Sequence, residues 1–274
     1  MTGASSGIGR ACVHRLDQVG FRVLAGLRNI EDGEALRVGA SSRVTPVHVD
    51  LSLTDTLERC AAVVEETCAD LPFVGVVNNA GILVSGPVEF VPLDDLRQQL
   101  EINVVGQVAL IQALLPTLRK FKGRIVNIGS TSGRIPSAFG GAYCASKFAL
   151  VAISEVLRQE LCSSGVALTL IEPGVVATPI WRKTLEFEER LEAGLPVEGK
   201  RHYGDIFRRR RALLMRLSEQ GSSPDRVAEA VEMALTSRRP PERSVVGLGA
   251  KLKLLVFPLI PNALLHRLAR FRNR

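Results

Sequence analysis

The run Gly123-Arg-Ile-Val-Asn-Ile-Gly129-Ser130-Thr-Ser-Gly133, with Ala142-Tyr143-Cys-Ala-Ser-Lys147 shortly after it, decides how this chain folds. Ile125, Val126 and Ile128 form a short apolar run between glycines, which reads as a buried strand. The run stops at Gly129 and puts Ser130 at the strand's carboxyl end, where open α/β sheets bind their ligands. Tyr143 and Lys147 stand four apart at the start of an amphipathic pattern, so on a helix they share one face. A hydroxyl, a phenol and an ammonium are thereby offered to one carbonyl, which is a reaction site in outline.

The residue types suit that chemistry. A free phenol titrates near 10 and exchanges protons poorly at neutral pH. An ammonium on the same helix face favours the phenolate and draws it toward the working range. A displacement of roughly three pH units needs about 4 kcal/mol, too much for one exposed pair. A dry site with a second positive charge could supply the rest. Ser130 would then hold the substrate oxygen while Tyr143 gives or takes its proton. The same four-residue spacing also describes an interfacial Tyr beside a solvated Lys, so the rest of the chain must decide. Tyr203, the other tyrosine, has no Lys four residues on.

Working outward, 274 residues could make one large α/β domain or two small ones, and 46% hydrophobic residues can bury a sizeable core. Five scattered cysteines (Cys12, Cys60, Cys68, Cys144, Cys162) show no paired metal spacing and read as reduced thiols of a cytoplasmic protein. The four histidines lie far apart, so no metal site is expected. No signal peptide is visible, and no apolar run reaches membrane-span length. Much of the net charge of +7 lies in Lys251–Arg274, which holds six Lys or Arg and no acid. Arg208 to Arg211 form a second basic block. Neither block is interleaved with aromatics in a nucleic-acid module, so no nucleic-acid partner is expected.

Upstream, Met1-Thr-Gly-Ala-Ser-Ser-Gly-Ile-Gly opens into a helix through about Val19. Gly3, Gly7 and Gly9 let the backbone approach a ligand closely, and the helix amino terminus favours a pyrophosphate. Phe21 to Leu27 and Val44 to Val49 read as strands, with a helix from Leu53 to Ala69 after them. A fourth apolar run, Phe73 to Val77, ends in Asn78-Asn79-Ala80-Gly81. A long helical stretch runs from Leu93 to Phe121 and carries Asn103. The Tyr143 helix extends to about Ser163. Val166 to Ile171 is a strand ending at Glu172-Pro173-Gly174, a helix runs from Pro224 to about Thr236, and Ser244 to Leu248 is the last strand. The alternation predicts a doubly wound, parallel α/β sheet of Rossmann-like type. Residues 1–250 read as a single domain, with 179–223 as a charged, irregular and partly helical substrate lid. Residues 251–274 read as a basic amphipathic extension.

Taken in order, Thr2 to Gly9, Asp50, Asn78 to Gly81, Asn103, Ser130 with Tyr143 and Lys147, and Pro173-Gly174 with Thr178 resemble the short-chain dehydrogenase/reductase family. The resemblance covers about residues 2–180. It implies an enzyme with a nicotinamide cofactor along the sheet's carboxyl edge, a small-molecule alcohol or carbonyl substrate, and a homo-oligomer. It implies Tyr143 as acid/base, Ser130 as the group that positions the substrate oxygen, and Lys147 as ribose ligand and partner of the phenol. It implies that Asn103 holds a water in a proton relay. For the cofactor it implies Gly3, Ser5, Ser6, Gly7, Ile8 and Gly9 at the turn. Asp50 and Leu51 would lie near the adenine, with Asn78, Ala80 and Gly81 alongside. Pro173, Gly174, Val176 and Thr178 would meet the nicotinamide end.

Cofactor choice rests on Ala25-Gly26-Leu27-Arg28, where no acid occurs before Glu31. An acid there would bind a ribose diol and repel a 2′-phosphate. Arg28 can instead pair with a phosphate as a planar fork, which favours NADP(H); the alternative is an Arg that only solvates the strand end. The segments starting at Phe21 and at Pro173 resemble family members acting on lipophilic alcohols. Trp181, Phe187 and Phe207 read as pocket lining or as lid core. Two rival readings are a non-catalytic dinucleotide sensor on the same fold and a serine hydrolase. The latter would use Ser5 in Gly3-Ala-Ser-Ser-Gly7 with His202 or His266. The tail, through Leu252 to Ile260 and Leu264, Leu265, Leu268 and Phe271, reads as a peripheral membrane contact, as a cap on a lipophilic substrate cleft, or as packing against the domain.

One departure from the family stands out. The glycine turn ordinarily follows an apolar central strand, yet only Met1 precedes Thr2. Six buried apolar side chains contribute roughly 9–18 kcal/mol before entropy, against a domain's net stability of about 5–15 kcal/mol. The expectation is a first strand missing from an incomplete chain, poorly soluble and weak in NADPH binding, unless another segment fills the gap.

Overall fold

Strand and helix patterns alternate as expected in the computed structural model, which describes residues 1–261. The glycine turn leads into α1 (Gly7–Gln18), followed by β1 (Val23–Leu27), α2 (Asp32–Arg37), β2 (Val44–His48), α3 (Thr54–Thr67) and β3 (Gly75–Asn78). Next come α4 (Leu93–Leu100), a π-helical turn (Glu101–Val105), α5 (Gly106–Phe121), β4 (Arg124–Ile128) and a 3₁₀ turn (Thr131–Gly133). Helix α6 (Gly141–Glu160) and β5 (Ala167–Pro173) precede α7 (Ile180–Gly194) and α8 (Val197–Gln220). The series closes with α9 (Asp225–Thr236), β6 (Arg243–Val246) and α10 (Leu248–Val256).

All strand pairs are parallel, with β1 beside β2 and the order β3-β4-β5-β6 in the second group. Parallel sheets need cover on both faces, and two apolar clusters supply it. Cys12, Val13 and Leu16 of α1 with Val227, Ala228 and Val231 of α9 cover one face. Leu57 and Val64 of α3 with Leu110, Ile111, Leu114 and Leu118 of α5 cover the other.

The expected central gap lies between β1 and β3, and Met1 and Thr2 bridge it. The Gly26 N–H donates to the Met1 carbonyl at 2.7 Å, and the Thr2 N–H donates to the Val77 carbonyl at 3.0 Å. The Met1 amino group donates to the Leu24 carbonyl at 3.0 Å. Thr2 thus forms a single parallel bridge to Gly26 at the place of the first strand, which the sequence led us to expect missing.

Three sequence expectations need correction. Segment 179–223 is not irregular: it is almost wholly the α7–α8 hairpin, whose ion pairs, such as Arg210–Glu188 and Arg211–Glu192, hide a helical apolar stripe. Leu93–Phe121 is, by length and composition, long and apolar enough to cross a membrane. It packs here as a core element, with Gln99, Asn103 and Gln107 buried polar side chains along it. The short α2 had no counterpart in the pattern. Leu264, Leu265, His266, Leu268 and Phe271 lie outside the described residues.

Candidate active site

At the carboxyl ends of the strands a cleft of about 790 Å³ runs from the glycine turn to the α7–α8 hairpin. Gly3 and Gly7 have φ of +64° and +54°, in the left-handed region that side chains disfavour. A Cβ on Gly3 would come within 2.8 Å of Ala80 Cα, and one on Gly7 within 3.0 Å of Thr178 Cγ2. The Thr2 hydroxyl accepts from the Asn79 and Ala80 N–H groups, each at 3.0 Å. The Asn79 amide in turn donates to the Thr2 and Gly3 carbonyls at 3.0 and 3.2 Å. This lattice sets the turn against the start of α1. The first helical turn carries no acid, so its N–H groups and dipole suit an anion.

Of the expected cofactor residues, Gly3, Ser5, Ser6, Gly7, Ile8, Arg28, Asp50, Leu51, Ala80, Gly81, Pro173, Gly174, Val176 and Thr178 all line the cleft. Gly9 and Asn78 are not among its lining residues. Gly9 is a packing glycine: a Cβ there would lie 2.0 Å from the Gly3 carbonyl oxygen. Asn78 is fully buried inside the sheet and donates to Asn127 Oδ1 at 3.1 Å. Strand alternation turns its side chain inward, and the cleft-lining asparagine is Asn79.

The catalytic candidates converge. Ser130 caps the 3₁₀ turn by accepting from the Ser132 N–H at 3.1 Å, and it lines the cleft together with Tyr143. Lys147 is 4% exposed and donates from Nζ to the Ile128 carbonyl at 2.9 Å. Its Nζ lies 5.8 Å from the Tyr143 ring centroid. Burial draws the ammonium down to about 8. Burial pushes the phenol up to about 12, with the Ser130 side chain pulling the other way. The expectation that the ammonium lowers the phenol is therefore reversed in the protein without cofactor, because desolvation outweighs a neighbour that is itself desolvated.

Asn103 sits on the π-helical turn and is fully buried. Its Oδ1 accepts from the Ile82 N–H at 2.9 Å, and its Nδ2 donates to the Ile82 carbonyl at 3.0 Å and to Ser146 Oγ at 3.2 Å. The side chain is spent on fixing that loop. Sequence reading also missed Ser146, which accepts from Asn103 and donates to the Tyr143 carbonyl at 2.7 Å. It is a helical neighbour of Tyr143 whose role needs the facing helix.

Arg28 is exposed at the cleft edge. Burial pushes the Asp50 carboxyl upward, but hydrogen bonds from Ser52 and the charges of Arg28 and His48 hold it below its usual range. The glycine cradle that any Cβ would fill and the helix terminus without acids together fit the pyrophosphate of a dinucleotide, with Arg28 at the edge of the same cleft. Trp181 lines the cleft and donates from its indole to the Val176 carbonyl at 2.8 Å. Phe207 is buried in an apolar cluster with Phe139 and Leu195, and Phe187 lines no part of the cleft. Among the described residues no histidine lines the cleft beside Ser5, and His202 faces Glu198 on α8. The hydrolase constellation is therefore not assembled among them.

The family model described as short chain dehydrogenase matches residues 1–189. Retinol dehydrogenase 5 of Homo sapiens is 36% identical over 272 residues, covering 96% of this chain and 85% of the relative. 17-beta-hydroxysteroid dehydrogenase type 6 of Bos taurus is 34% identical over 269 residues, covering 96% and 84%. A crystal structure of a short-chain dehydrogenase from Streptomyces avermitilis superposes with a TM-score of 0.76 at 26% identity, covering 99% of this chain and 94% of that one.

Proposed function

The chain belongs to the short chain dehydrogenase family, and on that premise we propose that it is an NADP(H)-dependent oxidoreductase interconverting an alcohol and a carbonyl on a lipophilic substrate. The observation that carries this reading is the meeting of Ser130, the Tyr143 phenol and a buried Lys147 in the cleft that begins at the glycine turn. Residues 1–250 act as one oxidoreductase domain, with α7 and α8 over the substrate side.

In reduction, Ser130 and Tyr143 hold the carbonyl oxygen between them, and the phenol donates its proton as that oxygen becomes an alcohol. In oxidation the same atom takes the proton back. A nicotinamide held in the cleft would supply or accept the hydride, and its oxidised ring would add the positive charge that favours the phenolate. Lys147 reaches the ribose and passes protons, its lowered pKa making the neutral amine accessible near neutral pH. Arg28 meets the 2′-phosphate as a charge-assisted pair. The names of the two relatives, which refer to retinol and to a hydroxysteroid, support a lipophilic alcohol.

The exposed Leu248, Leu252, Leu255 and Leu259 with Lys251 and Lys253 support a peripheral contact of the 251–274 extension with an anionic membrane surface. The protein is otherwise read as cytoplasmic and as a homo-oligomer. Turnover of a panel of lipophilic alcohols and ketones with NADPH and with NADH tests the assignment. Activity that favours NADPH is expected, and none with either cofactor across the panel would overturn it.

A further inference from the structure

Phe139 holds a backbone conformation that its side chain disfavours. Its φ is +67°, in the left-handed region where a bulky residue is rare. Such outliers persist where surrounding contacts over-determine them, and they cluster at functional positions. Here Phe139 is the third residue of a turn in which the Gly140 N–H donates to the Ser137 carbonyl at 3.1 Å, and the tertiary contacts that hold it there can be named. The Phe139 carbonyl accepts from the Gly86 N–H at 2.8 Å. The Ser85 hydroxyl, with one proton to give, stands between that carbonyl at 3.0 Å and the Glu188 carboxylate. The Arg210 guanidinium lies 4.8 Å from the Phe139 ring centroid, and Phe207 packs edge-on at 5.0 Å.

Arg210 is held in turn. Its Nε and Nη2 donate to Glu188 Oε1 at 3.0 and 2.7 Å, and Nη2 also donates to Ser85 Oγ at 3.0 Å. Glu188 and Ser85 are fully buried. Glu188 comes from α7 and Arg210 from α8, whereas Ser85 and Phe139 belong to the loops beneath the lid. Ser85, Phe139 and Arg210 all line the cleft, and α6 begins two residues after Phe139 with Tyr143 in its first turn. One charge pair in the lid therefore governs both a wall of the cleft and the entry of the helix that carries Tyr143.

We infer that Arg210 and Glu188 are positioning residues that clamp Phe139 as the wall of the substrate compartment and so set the size of lipophilic substrate that reaches Tyr143. This rests on the oxidoreductase reading above. A pair kept only for stability would lower the unfolding midpoint without changing substrate choice, and buried pairs often do no more than that.

The test compares Arg210→Met and Phe139→Gly with the parent, glycine being free to adopt the positive φ. The ratio of kcat/KM for bulky over compact alcohols should rise at least about tenfold in both variants, carried by KM, with NADPH affinity within about twofold. In Arg210→Met, amide hydrogen exchange across residues 137–143 should quicken at least about tenfold at unchanged global stability per unit of exchange elsewhere. Should Arg210→Met fail to fold because it strands the Glu188 carboxylate, Glu188→Gln/Arg210→Met removes both charges and carries the same expectations. An unchanged ratio in both variants overturns the clamp. If the parent turns over no alcohol or carbonyl, the oxidoreductase reading fails instead, and the exchange arm still decides: unaltered exchange across 137–143 overturns the clamp by itself.

Discussion

Replacing Lys147 with Met keeps a long buried side chain and removes its ammonium. Burial draws that ammonium from its ordinary 10.5 down to about 8, a gap worth about 3 kcal/mol at roughly 1.36 kcal/mol per pH unit. The residue is 4% exposed, so solvent screening discounts little of this. Because the folded value lies below the unfolded one, both states carry the charge below pH 8, and the native state then bears the full desolvation penalty. As pH rises from 8 toward 10.5 the native amine sheds its proton first and the penalty fades. Met also leaves the Ile128 carbonyl, 2.9 Å from Nζ, without its donor, at a cost of about 1–3 kcal/mol at every pH. The two effects nearly cancel at neutral pH, so the informative quantity is the pH dependence. Between about pH 7 and 10 the parent should gain about 2.5 kcal/mol of stability relative to Lys147→Met. Urea unfolding followed by fluorescence of the single tryptophan, Trp181, reads that difference. Measurement stops near pH 10, where the tyrosines of the unfolded chain begin to ionise. A difference that stays constant over this range would show a solvated ammonium and refute the dry pocket.

Two further outcomes follow from the site. Tyr143→Phe keeps the ring and deletes the proton donor, so turnover should fall by about 10²–10⁴ while NADPH affinity stays within about twofold; parent-like turnover would sink the acid/base assignment. Arg28→Asp should weaken NADPH by about 10- to 100-fold, the worth of one charge-assisted hydrogen bond, and NADH much less; fluorescence titration with each cofactor separates them, and equal losses would contradict the phosphate contact.

Much of the site was legible because its signals are local. The left-handed turns at Gly3 and Gly7, the strand that ends at Ser130 and the four-residue step from Tyr143 to Lys147 depend only on backbone propensity and helix period. The parallel order follows from strands that read as unbroken apolar runs with helices between them. What stayed hidden depends on partners distant in sequence. Asn78 and Asn79 are adjacent and alike, and only the register of β3 against β4 turns one into the sheet and the other to the cleft. The α7–α8 hairpin hid behind its charges because those charges pair across two helices rather than face water. Spacing placed a cation near the phenol, but burial is a property of the assembled cleft, and burial determines that Tyr143 is pushed up and Lys147 drawn down. Phe139 combines both levels: its positive φ belongs to the third position of a local turn closed by the Gly140 N–H on the Ser137 carbonyl, whereas the groups that hold its carbonyl and ring, Ser85 and Arg210 with Glu188 behind them, come from separate segments.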